Sequence, residues 1–153
     1  MLNDIYNKKI LRFAGNIPRL ERLSDPDATA TKASRTCGSQ VTVDIKIDGT
    51  TVTDFGHDVK ACALGQAASS IMARNVIGAT EEELHQVRDQ MWAMLKDGGD
   101  APGGKWADLA VLAPVADFPA RHNSVMLTFD ATCAAIADAR NADTAQSLSV
   151  STG

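Results

Sequence analysis

The sequence predicts an α+β domain: a three-stranded antiparallel sheet packed on one face by helices. Three observations carry that expectation. Residues 40–48 alternate strictly between apolar and polar side chains, the signature of a strand. Asp48-Gly49 follows at once as a hairpin-turn dipeptide, and the chain returns from Thr51 as a second strand. After residue 62 the apolar residues recur at helical spacing instead, so strands come first and helices after.

At the start of the chain, Leu2, Tyr6, Ile10 and Phe13 form one apolar helical stripe. Asn3 or Asp4 is placed to cap it, and Gly15-Asn16 with Pro18 beyond stops it. Residues 16–30 hold Pro18 and Ser24-Asp25-Pro26-Asp27 with little periodicity, which predicts an irregular connector. Ala30 to Thr36 reads as a weaker strand. In the alternating strand Val41, Val43, Ile45 and Ile47 point to one face; Thr42, Asp44, Lys46 and Asp48 point to the other, expected to be wet. The returning strand continues to about Val59. Ala63, Leu64, Ala67, Ala68, Ile71 and Met72 predict a small-residue helix packed closely on something flat and ending at Gly78. Thr80 with Glu83 three residues on is a capping box. Leu84, Val87, Met91, Met94 and Leu95 follow at helical spacing, closed by Gly98-Gly99. Residues 98–105 predict a loop, Trp106 to Val115 a short apolar segment, and about Ala120 to Ala139 a last helix. Residues 1–140 are expected to form the single domain, with 141–153 a flexible tail.

A chain of 153 residues suits one domain with its own core. Apolar residues make up 44% and charged residues 22%, which excludes disorder throughout. The net charge of −4 leaves no basic surplus for phosphate contacts, so no nucleic-acid partner is expected. No apolar run approaches the ~18 residues of a membrane span, and the start Met1-Leu2-Asn3-Asp4 predicts no secretory signal. Three cysteines, an odd number, argue against a disulfide framework. A cytoplasmic location with reduced thiols is the expectation.

Cys37 lies between two strand patterns, in Thr36-Cys37-Gly38-Ser39. Cys62 lies where a strand hands over to a helix, in Val59-Lys60-Ala61-Cys62-Ala63. A thiol at a helix N-terminus faces unpaired N–H groups and the positive end of the helix dipole. That setting favours thiolate, the form that both metal binding and sulfur transfer require. The competing reading makes each a small buried hydrophobe, because their separation is not that of a zinc motif. Cys133, in an alanine-rich stretch of the last helix, reads as core. His85 falls in a charged helix and reads as solvated. His122 alone among the histidines stands near a plausible site, against the reading of a solvent-facing loop residue. Met91, Trp92 and Met94 read as core or as an apolar surface patch. The glycine-rich stretch from Gly98 lacks the Lys-Ser/Thr ending of a phosphate loop, and no Gly-x-Ser-x-Gly or His-Glu-x-x-His motif occurs.

The order of pieces resembles the NifU/IscU-type iron–sulfur cluster assembly scaffold family, over roughly residues 4–138. The resemblance begins with Ile5-Tyr6, Asn16 and Pro18-Arg19, and continues with Cys37-Gly38 before the alternating strand. Its more specific parts are Val59-Lys60-Ala61-Cys62-Ala63-Leu64-Gly65-Gln66-Ala67-Ala68-Ser69-Ser70 and Phe118-Pro119-Ala120-Arg121. The segment around Trp106-Ala107-Asp108-Leu109 is similar to the insertion of the SufU branch.

The family's site holds three cysteines and an aspartate. The resemblance carries two of the cysteines over, as Cys37 and Cys62. The aspartate position, two after the first cysteine, is Ser39; the third cysteine position is Ser124, with His122 and Asn123 just before it. Cys133 cannot stand in for it, lying about 13 Å further along a helix that rises ~1.5 Å per residue. The resemblance implies assembly of a transient binuclear (2Fe-2S) cluster or, as in the SufU branch, zinc binding with sulfur acceptance from a cysteine desulfurase. Cys37 stands at the position of the acceptor thiol. Zinc takes four N, S or O ligands, and Cys37, Cys62 and His122 supply three strong donors at most. Serine's hydroxyl stays protonated near neutral pH. The expectation is therefore a scaffold or sulfur acceptor, in preference to a true enzyme, with a cluster or zinc weakly bound or absent. The alternative is a non-catalytic binding or regulatory module that kept the fold and lost the metal site. Cys37 and Cys62 together favour the first reading; Ser39 and Ser124 favour the second.

Overall fold

Three antiparallel strands, β1 (Ala28–Ala33), β2 (Gln40–Asp48) and β3 (Thr51–Lys60), form one sheet in the order β1-β2-β3. The computed structural model describes residues 7–35 and 38–152, with side chains described as far as residue 142. Ala28 pairs with Ile45 and Ala33 with Gln40 across β1 and β2. Gln40 pairs with Lys60 and Ile45 with Phe55 across β2 and β3, before a bulge at Lys46/Ile47 shifts the register toward the turn. Gly49 makes that turn at φ 66°, a left-handed conformation that a side chain disfavours. The first strand begins two residues earlier than its sequence pattern suggested and ends three earlier, at Ala33; pairing starts early because Asp27 already donates its N–H to the Ile45 carbonyl at 2.7 Å.

The helices are α1 (Lys8–Gly15), α2 (Ala63–Asn75), α3 (Glu81–Asp97) and α4 (His122–Thr152). Asn7 caps α1, its Oδ1 accepting from the Ile10 N–H at 3.0 Å; the expected caps Asn3 and Asp4 lie outside the described residues. Thr80 caps α3 by accepting from the Glu83 N–H at 3.2 Å, and Gly98 ends it at φ 67°. The segment expected to be a loop and a short apolar piece is a run of 3₁₀ turns over Gly104–Asp117, followed by a second at Pro119–Arg121. It buries Trp106, Leu109, Leu112 and Val115 on α2 and α3. Helical backbone in α4 continues past Ala139, since no proline or glycine interrupts the sequence before Gly153. Among the described residues, no helix is long and apolar enough to cross a membrane.

One core joins the sheet to the helices. Val41, Val43, Ile45 and Phe55 are buried on the face that meets the helices, with α4 lying across β1 and β2. Leu64, Ala67, Ala68 and Ile71 of α2 fill the layer, and α1 closes over α2 through Ile10. His57 shares this face. Burial pushes its pKa down, so the neutral ring donates Nε2–H to the Pro18 carbonyl at 2.9 Å.

The opposite face corrects the sequence reading at its centre: it is wet at Asp48 and Asp58 but dry at Thr42 and Asp44. Thr42 and Asp44 are buried there. The connector after α1 folds over β3 and covers that face. Gly56, the partner of Asp44, leaves room for it: a Cβ at that position would lie 2.2 Å from the Glu21 carbonyl oxygen. Asp44 then receives Arg22 Nε at 2.6 Å, Arg22 Nη2 at 3.0 Å, the Leu23 N–H at 3.0 Å and the Thr29 hydroxyl. Alternation alone could not show this, because a carboxylate on a strand is compatible with water or with a guanidinium.

Burial of Asp44 raises its pKa, but the bonds from Arg22, Thr29 and Leu23 outweigh it and hold the carboxyl below its usual range. A depressed folded-state value contributes stability that is present above the unfolded value of ~3.9 and lost as pH falls through the lower folded one. Asp44→Asn is expected to cost about 2 kcal/mol at pH 7 and to flatten the acid side of the stability profile below about pH 4. Urea melts of both proteins between neutral and acid pH check this; parallel profiles would contradict it.

Candidate functional site

Three chain junctions meet at one end of the sheet. The first is the turn after β1, where the Gly38 N–H reaches the Ser34 carbonyl at 3.0 Å and the Ser34 N–H reaches the Ser39 carbonyl at 2.8 Å. Gly38 sits at φ 69°, which explains a glycine there. Cys37 lies outside the described residues. The second junction is β3 to α2, where Cys62 is the N-cap residue with extended backbone. Its side chain makes no capping bond, leaving the sulfur free to face elsewhere. The third is the 3₁₀ run into α4, whose third residue is Ser124.

These junctions bring together side chains far apart in sequence. Ser124 Oγ lies 3.3 Å from Cys62 Sγ and 3.3 Å from Ser39 Oγ. Ser39 and Ser124 are 4% and 1% exposed, whereas Cys62 is half-buried and so can be approached from outside. The close approach depends on Gly65. A Cβ there would lie 2.8 Å from Ala61 Cβ and 3.0 Å from both the carbonyl and hydroxyl oxygens of Ser124. Sequence reasoning gave Gly65 no role of its own; a glycine inside a helical pattern was the available signal of a close approach.

His122 opens α4 and engages the chain just before it. It is buried, with Nε2 3.0 Å from the Val115 carbonyl and 3.2 Å from the Ala116 carbonyl, where the ring N–H donates. It is thus not the solvent-facing loop residue of the competing sequence reading. Cys133 lies in the core, where burial pushes its thiol pKa up to about 11, so it stays protonated. Beside the cluster, Asn123 stands between two surface grooves. One, of about 470 Å³, is lined by Lys32, Ser34, Arg35, Leu127 and Asp130; the other, of about 420 Å³, by Trp92, Leu95, Lys96 and Pro119. Burial raises the pKa of Asp130, opposed by Arg88, Lys32 and a hydrogen bond from Trp92.

The donor set decides what the cluster can hold. Among the described residues no group of three or more His, Cys, Asp or Glu side chains is placed to hold a metal ion. Of the described side chains gathered here, Cys62 supplies a sulfur and Ser39 and Ser124 supply neutral hydroxyls. Four-coordinate zinc and cysteine-held clusters take more anionic donors than these three provide.

The chain matches the NifU-like N-terminal domain over residues 5–125. It is similar to the crystal structure of an N-terminal nitrogen-fixing NifU-like protein from Brucella abortus, at 56% identity and TM-score 0.90, over 92% of this chain and 97% of that one. It is 31% identical to the iron–sulfur cluster assembly scaffold protein IscU of Streptococcus pyogenes over 70% of this chain and 67% of that protein. It is 23% identical to the zinc-dependent sulfurtransferase SufU of Bacillus subtilis over 85% of this chain and 88% of that protein.

Gly65→Ala is expected to push the first turns of α2 and α4 apart, at a cost of about 1–3 kcal/mol from overpacking. Chemical denaturation measures the loss; unchanged stability would mean that the two turns do not meet as closely as described.

Proposed function

We propose, from the premise that this chain belongs to the NifU-like N-terminal domain family of iron–sulfur cluster assembly scaffolds, that it is a divergent member working as a sulfur acceptor. Its partner is a cysteine desulfurase in the cytoplasm, where thiols stay reduced. Cys37 and Cys62 are the working thiols, with Cys37 at the acceptor position. A cluster or zinc is cargo held loosely, because Ser39 and Ser124 put neutral hydroxyls where the family's site has a carboxylate and a thiolate.

The observation that carries this reading is the approach of Ser39, Cys62 and Ser124 within hydrogen-bond distance. Three of the four positions matched to the family's ligands lie side by side, around a half-buried sulfur. A module that had kept only the fold would have no need of that constellation. The same serine pair supports a second reading, a binding module that attends the desulfurase without receiving sulfur.

Two measurements separate them. Anaerobically purified protein is assayed for iron, zinc and labile sulfide, and then for sulfur transferred from a desulfurase supplied with labelled cysteine. Label on Cys37 or Cys62 supports the acceptor; no label, with the desulfurase still bound, supports the module. Restoring the missing donors as Ser39→Asp plus Ser124→Cys is expected to raise zinc affinity by at least about tenfold, the scale of ~1.4 kcal/mol from added charged ligands. Titration against a zinc indicator reads this, and equal affinities would mean that the two positions do not serve a metal together with the cysteines.

A further inference from the structure

The two serines do more than vacate a metal site. We infer that Ser124 is a positioning residue for sulfur chemistry at Cys62: its hydroxyl, backed by Ser39, holds Cys62 as the carrier of one sulfane sulfur without a metal. The inference rests on the sulfur-acceptor reading and specifies which thiol retains the sulfur and what retains it.

A serine hydroxyl has one proton to donate and lone pairs to accept with. Ser124 Oγ stands at 3.3 Å from both Cys62 Sγ and Ser39 Oγ. A sulfur carried on Cys62 as an anion can only accept, so there the Ser124 hydroxyl donates to it and keeps its lone pairs for the Ser39 hydroxyl. Both serines are buried, where a hydrogen-bonded chain polarises its members and is not diluted by water. Cys62 is half-buried, so a donor can reach the sulfur while the hydroxyls stay dry. A thiolate at position 124 would repel an anionic sulfur on Cys62 unless a cation lay between them. A hydroxyl at the same place attracts it with no cation present. The space left by Gly65 holds Ser124 at that distance and bars a side chain from intervening.

The transfer needs a persulfide donor and no oxidant. The Cys62 thiolate attacks the outer sulfur of the donor persulfide R–S–SH. A new S–S bond forms at Cys62 as the donor's S–S bond breaks, and the donor leaves as its thiolate. The proton of the outer sulfur stays on it or passes to solvent. Sulfane sulfur moves between two thiols with no net oxidation.

The test loads the reduced full chain with glutathione persulfide, removes the excess, and follows the one-sulfur mass increment on the Cys62 and Cys37 peptides over time. Wild-type protein is expected to keep sulfur on Cys62. Ser124→Ala is expected to shorten its residence there about fivefold, the size of one net hydrogen bond, with residence on Cys37 and the melting temperature unchanged. A purely structural role would move all three together. Ser39→Ala, which leaves the bond to Cys62 in place, is expected to shorten residence less and supplies the answer if Ser124→Ala fails to fold. Equal residence in wild type and both variants, or sulfur on Cys37 alone, overturns this inference and leaves the acceptor reading standing. Sulfur on neither thiol overturns both.

Discussion

The first turns of α2 and α4 meet at Gly65, which adds no side chain to the contact, and the site depends on that closeness. A Cβ there would crowd Ala61 and both the carbonyl and hydroxyl oxygens of Ser124. Because α4 also lies across β1 and β2, the same contact fixes the end of α2 relative to the sheet. Cys62 stands at the last position before α2 begins, so its sulfur is set by β3 on one side and by α4 on the other. The turn after β1 completes the arrangement through Ser39.

Given that frame, the chemistry follows from charge. Thiolates and a carboxylate at contact distance repel, so they gather cations or take up protons. Hydroxyls at Ser39 and Ser124 carry no charge and remove that repulsion. In the proposed role they donate to a single sulfur on Cys62. The Asp44 network on the other face of the sheet plays no part in this; it fastens the connector whose course frees the core face for the helices.

Most of the architecture was legible because periodicity, capping boxes and hairpin dipeptides are local signals. Thr80 with Glu83, Asp48-Gly49 and the alternating run from Val41 each declared their element directly. What was illegible depends on partners distant in sequence. Nothing near Asp44 indicated that Arg22 would cover it, so its face read as wet. The residues after Gly104 are apolar without a helical period, and the 3₁₀ turns they form have no strong sequence signature. At the site, the family resemblance pointed to Ser39, Cys62 and Ser124, yet spacing alone could not place them in contact. It also left His122 open as a ligand; Nε2 of that ring meets the Val115 and Ala116 carbonyls, partners the sequence does not indicate.

In the proposed role, Cys37 and Cys62 share one sulfur-handling site built around the serine pair. The most direct measurement is the distance between their sulfurs in a crystal structure of the reduced protein. The expected result is both sulfurs beside the Ser124 hydroxyl, within about 4–5 Å of each other, as van der Waals contact allows. Sulfurs more than ~10 Å apart in an ordered site, too far for any shared ligand with bonds near ~2.3 Å, would contradict it.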